Sequence, residues 1–226
     1  MHHQKHTIID YVWRTVRHSK AMGKAFFVTP FFLFLVLPML TLWVYFQSLG
    51  QYGTTAQGEH DIFLLYQHTI PFFSIYWPLL AKKNLWEQPG SEVFHACHDP
   101  LNIRDEVVYF LMYSSLMLLF FLFLSLWFDW AILEGLRLVC INFFLFSLQR
   151  FLFALLGSAV ICFILCFLLC TQFQMWYRAF PNWMLYYPLT SYDQLKGYLV
   201  FILVALLLEG LRYCLPIAHT RGKFPV

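Results

Sequence analysis

The chain is short of charge. Of its 226 residues only 12% are Asp, Glu, Lys or Arg, while 60% are hydrophobic; a soluble domain ordinarily carries about twice that charged share. So little polar surface cannot wrap a water-soluble globule, which leaves an integral membrane protein. The signatures of several chemistries are also missing. There is no G-x-x-x-x-G-K-[ST]: Gly23-Lys24 and Gly222-Lys223 lack the upstream glycine, so the chain does not cradle ATP in a P-loop. No G-x-S-x-G, H-E-x-x-H or C-x-x-C occurs. Residues 1–25 have no short apolar core followed by a small-residue cleavage site, so no secretory signal is expected. No stretch is long and polar enough for a second folded domain, and residues 1–226 read as one membrane domain.

What is present is a series of apolar runs. Phe26–Phe46, with Pro30 and Pro38 inside, is long enough to cross about 30 Å of hydrocarbon. Ile62–Ala81 is a second run, interrupted by Gln67, His68, Pro71 and Pro78, and Val107–Phe128 is a third. A fourth extends from Trp130, with Glu134 and Arg137 in its first two turns, to a short turn at Gln149-Arg150. Phe151–Thr171 is the fifth and Gly197–Pro216 the last. Gln47–Asp61 reads as a Gly/Gln/Thr loop. The expected fold is all-α, with six transmembrane helices.

Three segments flank these runs. Within residues 1–25, the stretch 7–24 places Ile8, Ile9, Val12, Trp13 and Val16 at helical spacing and Arg14, Arg17 and Lys20 on other faces, a pattern that lies in the headgroup plane. Residues 82–106 hold 8 of the 27 charged residues and must sit in water on one side of the bilayer. Residues 172–196 carry eight aromatic residues and only three charges, broken by Pro181 and Pro188, and read as a re-entrant segment of one or two short helices dipping into the outer leaflet. With both termini inside, twelve Lys/Arg fall on the inner side against three outside, a strong positive-inside bias. The net charge of +3 thus reports orientation and not nucleic-acid binding.

Candidate chemistry is sparse. His95, Cys97, His98 and Asp99 are ligand types for Zn or Cu, but they form a compact cluster without a second half, and a wet or partner-facing loop explains them as well. Cys162, Cys166 and Cys170 share a helix face; they read either as a soft-metal relay or as small apolar residues at a helix contact. Gln67 and His68 read either as hydrogen-bonding links between helices or as contacts to cargo or a proton path. Glu134 with Arg137, and Glu209 with Arg212, are placed to pair at i, i+3 near the hydrocarbon. The two Glu-Gly-Leu-Arg tetrapeptides are expected at opposite faces of the membrane and hence not as equivalent positions.

Two segments carry a resemblance. Glu87-Gln88-Pro89-Gly90-Ser91-Glu92, followed by Asp99-Pro100 and then Arg104, resembles the acidic–Gly–Ser/Thr–acidic loop of the membrane-spanning subunits of ABC-2-type ATP-binding-cassette exporters. Phe180-Pro181-Asn182-Trp183, with Pro188 beyond it, is similar to that family's outer segment. The second acidic residue follows Ser91 directly, where the family spaces it by one, and Arg104 stands where Lys is commoner. As architecture the resemblance spans nearly the whole chain. It implies a coupling helix in the 82–106 loop that docks into a separate ATPase subunit through Glu87, Gly90, Ser91, Glu92 and Phe94. It further implies a homodimer or heterodimer of permeases in the plasma membrane, and export powered by ATP and Mg bound in the partner chain. The competing expectations are a membrane-embedded enzyme and an ion-coupled carrier around His68.

Overall fold

A computed structural model of the chain describes residues 24–52, 55–86, 103–175 and 189–214. Every regular element among them is helical: α1 (Lys24–Tyr52), α2 (Thr55–Trp86), α3 (Ile103–Leu124), α4 (Ala131–Leu156), α5 (Ala159–Met175), the short α6 (Tyr192–Lys196) and α7 (Leu199–Cys214). Among the described residues four stretches are long and apolar enough to cross a membrane: Leu33–Gly50, Val107–Leu124, Ala131–Leu156 and Tyr192–Arg212. α5 is apolar but shorter, and α2, though 32 residues long, dilutes its apolar run with Gln67, His68 and two prolines. The stretch expected to form an interfacial helix, most of the 82–106 loop and most of the outer aromatic segment lie outside the described residues.

The helix boundaries differ from the sequence reading in three places. Gln47–Asp61 is not a loop: α1 continues to Tyr52 and α2 starts at Thr55. Gln and Thr tolerate the helix, and none of the breaking dipeptides that would force a long excursion is present there. Gln149-Arg150 is not a turn either: both residues are buried within α4. The chain reverses instead at Gly157, whose φ of 68° and ψ of 6° are left-handed and whose N–H donates to Phe153 O. Glycine takes that conformation without a Cβ penalty and ends the helix there. Gly157→Val is expected to cost about 1–2 kcal/mol, read as a lowered unfolding midpoint of the purified protein in detergent. Lastly, α2 runs past Lys82-Lys83 to Trp86 and α3 begins at Ile103, so helix occupies both margins of the polar segment.

Side-chain contacts fix the helix directions. α1 meets α2 at Thr41 and Tyr66, whose hydroxyls hydrogen-bond. α3 meets α2 where Tyr113 Oη donates to Ile70 O at 2.9 Å and where Tyr109 lies edge-on to Trp77. α4 and α7 touch through Arg137 and Tyr198, Phe144 and Phe201, and Arg150 and Glu209, ascending together, so these two run parallel. α2 is parallel to α4 as well, with Gln67 against Glu134 and Gln149 against Ile75. One core lies between α1, α2, α3 and the start of α4, around Tyr66, Trp77, Met117 and Phe121. The other lies between α2, α4, α5 and α7, around Ile75, Leu145, Cys162 and Cys166. α2 and α4 belong to both and form the wall between them. Helix α3 approaches that wall closely: a Cβ on Gly135 would lie 2.9 Å from the Cβ of Phe121. Small residues at such crossings let helix backbones close up in lipid.

Candidate functional site: ionised groups buried between helices

α4 carries its charges inward. Glu134 and Arg137 sit one turn apart on it, and each has no solvent exposure. Arg137 Nε donates to Glu134 Oε1 at 2.7 Å, and Nη2 converges on the same oxygen. Gln67 of α2 donates its Nε2 to that oxygen too. From the residue just before α7, Tyr198 Oη accepts from Arg137 Nη1 at 3.4 Å. The guanidinium carbon is 5.5 Å from the ring centroids of both Phe63 and Tyr198, so two aromatic faces flank the cation. Three helices therefore contribute to one ionised cluster. Burying either charge alone would be prohibitive; paired, hydrogen-bonded and ring-flanked, the two are tolerable in the interior.

A second cluster lies toward the other end of the same two helices. Glu209 of α7 is flanked by Arg212 of its own helix, Nη1 donating to Oε2 at 3.3 Å, and by Arg150 of α4, Nη1 at 3.3 Å from Oε1. Arg150 also stacks its guanidinium 5.7 Å from the Phe146 centroid. Next to it, Gln149 Nε2 donates to Ile75 O of α2 at 3.3 Å. Thirteen residues separate Arg137 from Arg150, which along a helix is roughly 20 Å. The two clusters thus clasp α7 to α4 at two heights and set the register between them.

The expected residues divide as follows. Gln67, Glu134 and Arg137 are brought together, and so are Glu209 and Arg212. The two Glu-Gly-Leu-Arg tetrapeptides do lie at different heights on neighbouring helices. His68 is exposed, its Nδ1 2.6 Å from the Leu64 carbonyl of its own helix. Cys162, Cys166 and Cys170 are buried in the second core. Among the described residues no group of three His, Cys, Asp or Glu side chains is placed to hold a metal. Glu87, Gly90, Ser91, Glu92 and Phe94, and the His95–Asp99 cluster, fall outside the described residues.

Arg150, Tyr198 and Phe63 were not foreseen. Arg150 left a trace in the sequence: a lone cation after a long apolar run, with no turn-forming residue until Gly157-Ser158. For Tyr198 and Phe63 there was no such trace, because a single aromatic in an aromatic-rich chain is unremarkable.

Fold and burial together define the class: among the described residues, an all-helical arrangement with four helices able to span a membrane and Glu–Arg pairs held between helices. No protein-family model, curated protein or solved structure matches the chain.

Proposed function

We propose that the chain is the membrane-spanning permease subunit of an ATP-binding-cassette exporter. In this reading six helices cross the plasma membrane with both termini in the cytoplasm. A separate ATPase subunit binds ATP and Mg, docks on the 82–106 segment, and drives export of an apolar or amphipathic substrate such as a peptide, lipid or drug. The chain pairs with a second permease copy or a related one. The motif Glu87–Glu92, with Asp99-Pro100 beyond it, supports docking by its likeness to the exporter loop.

One structural observation carries the mechanical part. α2 is continuous from Thr55 to Trp86, about 48 Å at helical rise. That exceeds the hydrocarbon thickness of about 30 Å. The helix ends at Trp86, next in sequence to the proposed docking motif, and some twenty residues earlier it holds the Glu134 carboxylate through Gln67. A displacement imposed at the Trp86 end of α2 would reach the Glu134–Arg137 pair through one continuous helix, Pro71 and Pro78 included. The carrier reading gains less, because His68 is exposed and its Nδ1 contacts the Leu64 carbonyl of its own helix. A membrane-embedded enzyme would need polar groups converging on a reachable pocket, whereas Glu134 and Arg137 are fully buried.

Three measurements test the proposal. A membrane-impermeant thiol reagent should modify Cys97 only from the cytoplasmic side, with the other cysteines replaced; modification from outside would remove any access for an ATPase. Purification from native membranes in mild detergent should retain an ATPase subunit. The double charge reversal Glu87→Lys/Glu92→Lys should then leave basal ATP hydrolysis intact while abolishing its coupling to transport. Full coupling in that variant would refute the docking assignment.

A further inference from the structure

Where α2, α3 and α4 meet, Ser74, Trp77, Pro78, Tyr109, Tyr113 and Asn142 border a cavity of about 10 Å³. That is room for a single water molecule. Two of the residues that border it each carry an acceptor without its ordinary partner. Asn142 is 1% exposed; its Nδ2 donates to Met117 Sδ at 3.2 Å, while its Oδ1 accepts from none of the described residues. The second acceptor follows from covalent structure. Pro78 has no N–H, so the carbonyl of Ser74, four residues earlier in α2, has no helix donor. In a membrane interior neither oxygen finds bulk water, and proline breaks there are resealed by neighbouring side chains or by ordered water. The Ser74 hydroxyl does not serve, because it donates to Pro71 O at 2.7 Å.

We propose that this cavity binds one water molecule, which donates one hydrogen to Asn142 Oδ1 and the other to the Ser74 carbonyl. Two acceptors suit a ligand with two O–H donors, and two partners suffice to hold a buried water. The cavity is too small for a lipid chain or for any cargo. The bound water replaces the hydrogen bond that Pro78 removes and ties α2 to α4 at that height. It lies on α2 between Gln67, which holds Glu134, and Trp86, where the rod ends. α2 is thereby a rod with one hydrated joint, at which a bend exchanges water contacts instead of breaking backbone ones. The assignment does not depend on an ATPase partner.

X-ray radiolysis with mass spectrometry tests it on the intact protein in detergent, because hydroxyl radicals made from a bound water modify the side chains around it. Tyr113 borders the cavity and is 3% exposed, whereas Tyr66, at 0%, lies in the same core but does not border the cavity. Tyr113 is expected to be modified faster than Tyr66, as befits a tyrosine beside a buried water. Equal rates for the two would overturn the proposal, and this comparison needs no variant. Asn142→Leu should remove the excess at Tyr113 by taking away one acceptor and filling the space. An undiminished excess in folded Asn142→Leu protein would also overturn it.

Discussion

Arg137→Leu is expected to lower stability by about 3–5 kcal/mol, the usual cost of breaking a buried ion pair from one side. The substitution leaves Glu134, which has no exposure, with only neutral donors, Gln67 of α2 and the Leu189 backbone N–H. The carboxylate must then stay charged in a poor environment or take up a proton to become neutral, and either outcome costs folding free energy. It also strips Tyr198 and Phe63 of the cation between their rings. The double variant Glu134→Leu/Arg137→Leu should recover most of the loss, because a buried pair replaced by apolar side chains of similar size is close to neutral. Arg137→Lys should fall between, since an ammonium keeps the charge but cannot place two N–H groups on Oε1 and stack as a plane. Thermal unfolding of the four proteins in the same detergent checks the order. A single variant within about 1 kcal/mol of the parent, below the range for a broken buried pair, would mean that the pair is reachable by water.

How much of this was legible beforehand depends on the kind of signal. Helical class and the apolar runs follow from composition, because a chain with so few charges has nowhere to put them except at the ends of spans or against each other. The Glu134–Arg137 and Glu209–Arg212 pairs were readable for a local reason: i, i+3 spacing brings them together in any helix. What joins the helices was not readable. Gln67 reaching Glu134, and Arg150 reaching Glu209, are contacts between residues far apart in sequence, and nothing in either neighbourhood names the other partner. The turn placed at Gln149-Arg150 came from treating a charged residue as a marker of the membrane surface. Arg150 is instead buried because Glu209 and the Phe146 ring make its burial tolerable. Gly157, about two helical turns farther on, was the better turn signal, and the apolar run around it hid it.

The two Glu-Gly-Leu-Arg tetrapeptides offer a comparison in which sequence is held fixed and surroundings change. In the first, the glutamate side chain is fully buried and its own-helix arginine is its cationic partner; in the second, the glutamate is 15% exposed and shares its charge with two arginines. Removing the shared acid should therefore matter more than removing one of the bases. Glu209→Leu takes the carboxylate from both Arg150 and Arg212 and brings two buried cations close without the anion between them. Arg150→Leu leaves Glu209 still paired with Arg212 at 3.3 Å. The expected cost of Glu209→Leu is about 2–4 kcal/mol, somewhat under the figure for a fully buried pair because water reaches part of the carboxylate, and Arg150→Leu should cost clearly less. Glu209→Gln, which keeps a hydrogen-bond acceptor but no charge, should sit between them. Since this cluster is one of the two clasps that hold α7 against α4, Glu209→Leu should also speed amide hydrogen exchange in the last turns of α7 while leaving α3 unchanged. If Arg150→Leu proved the more damaging of the two, or if exchange rose equally in both helices, Glu209 could not be the shared anchor that its two arginine contacts describe.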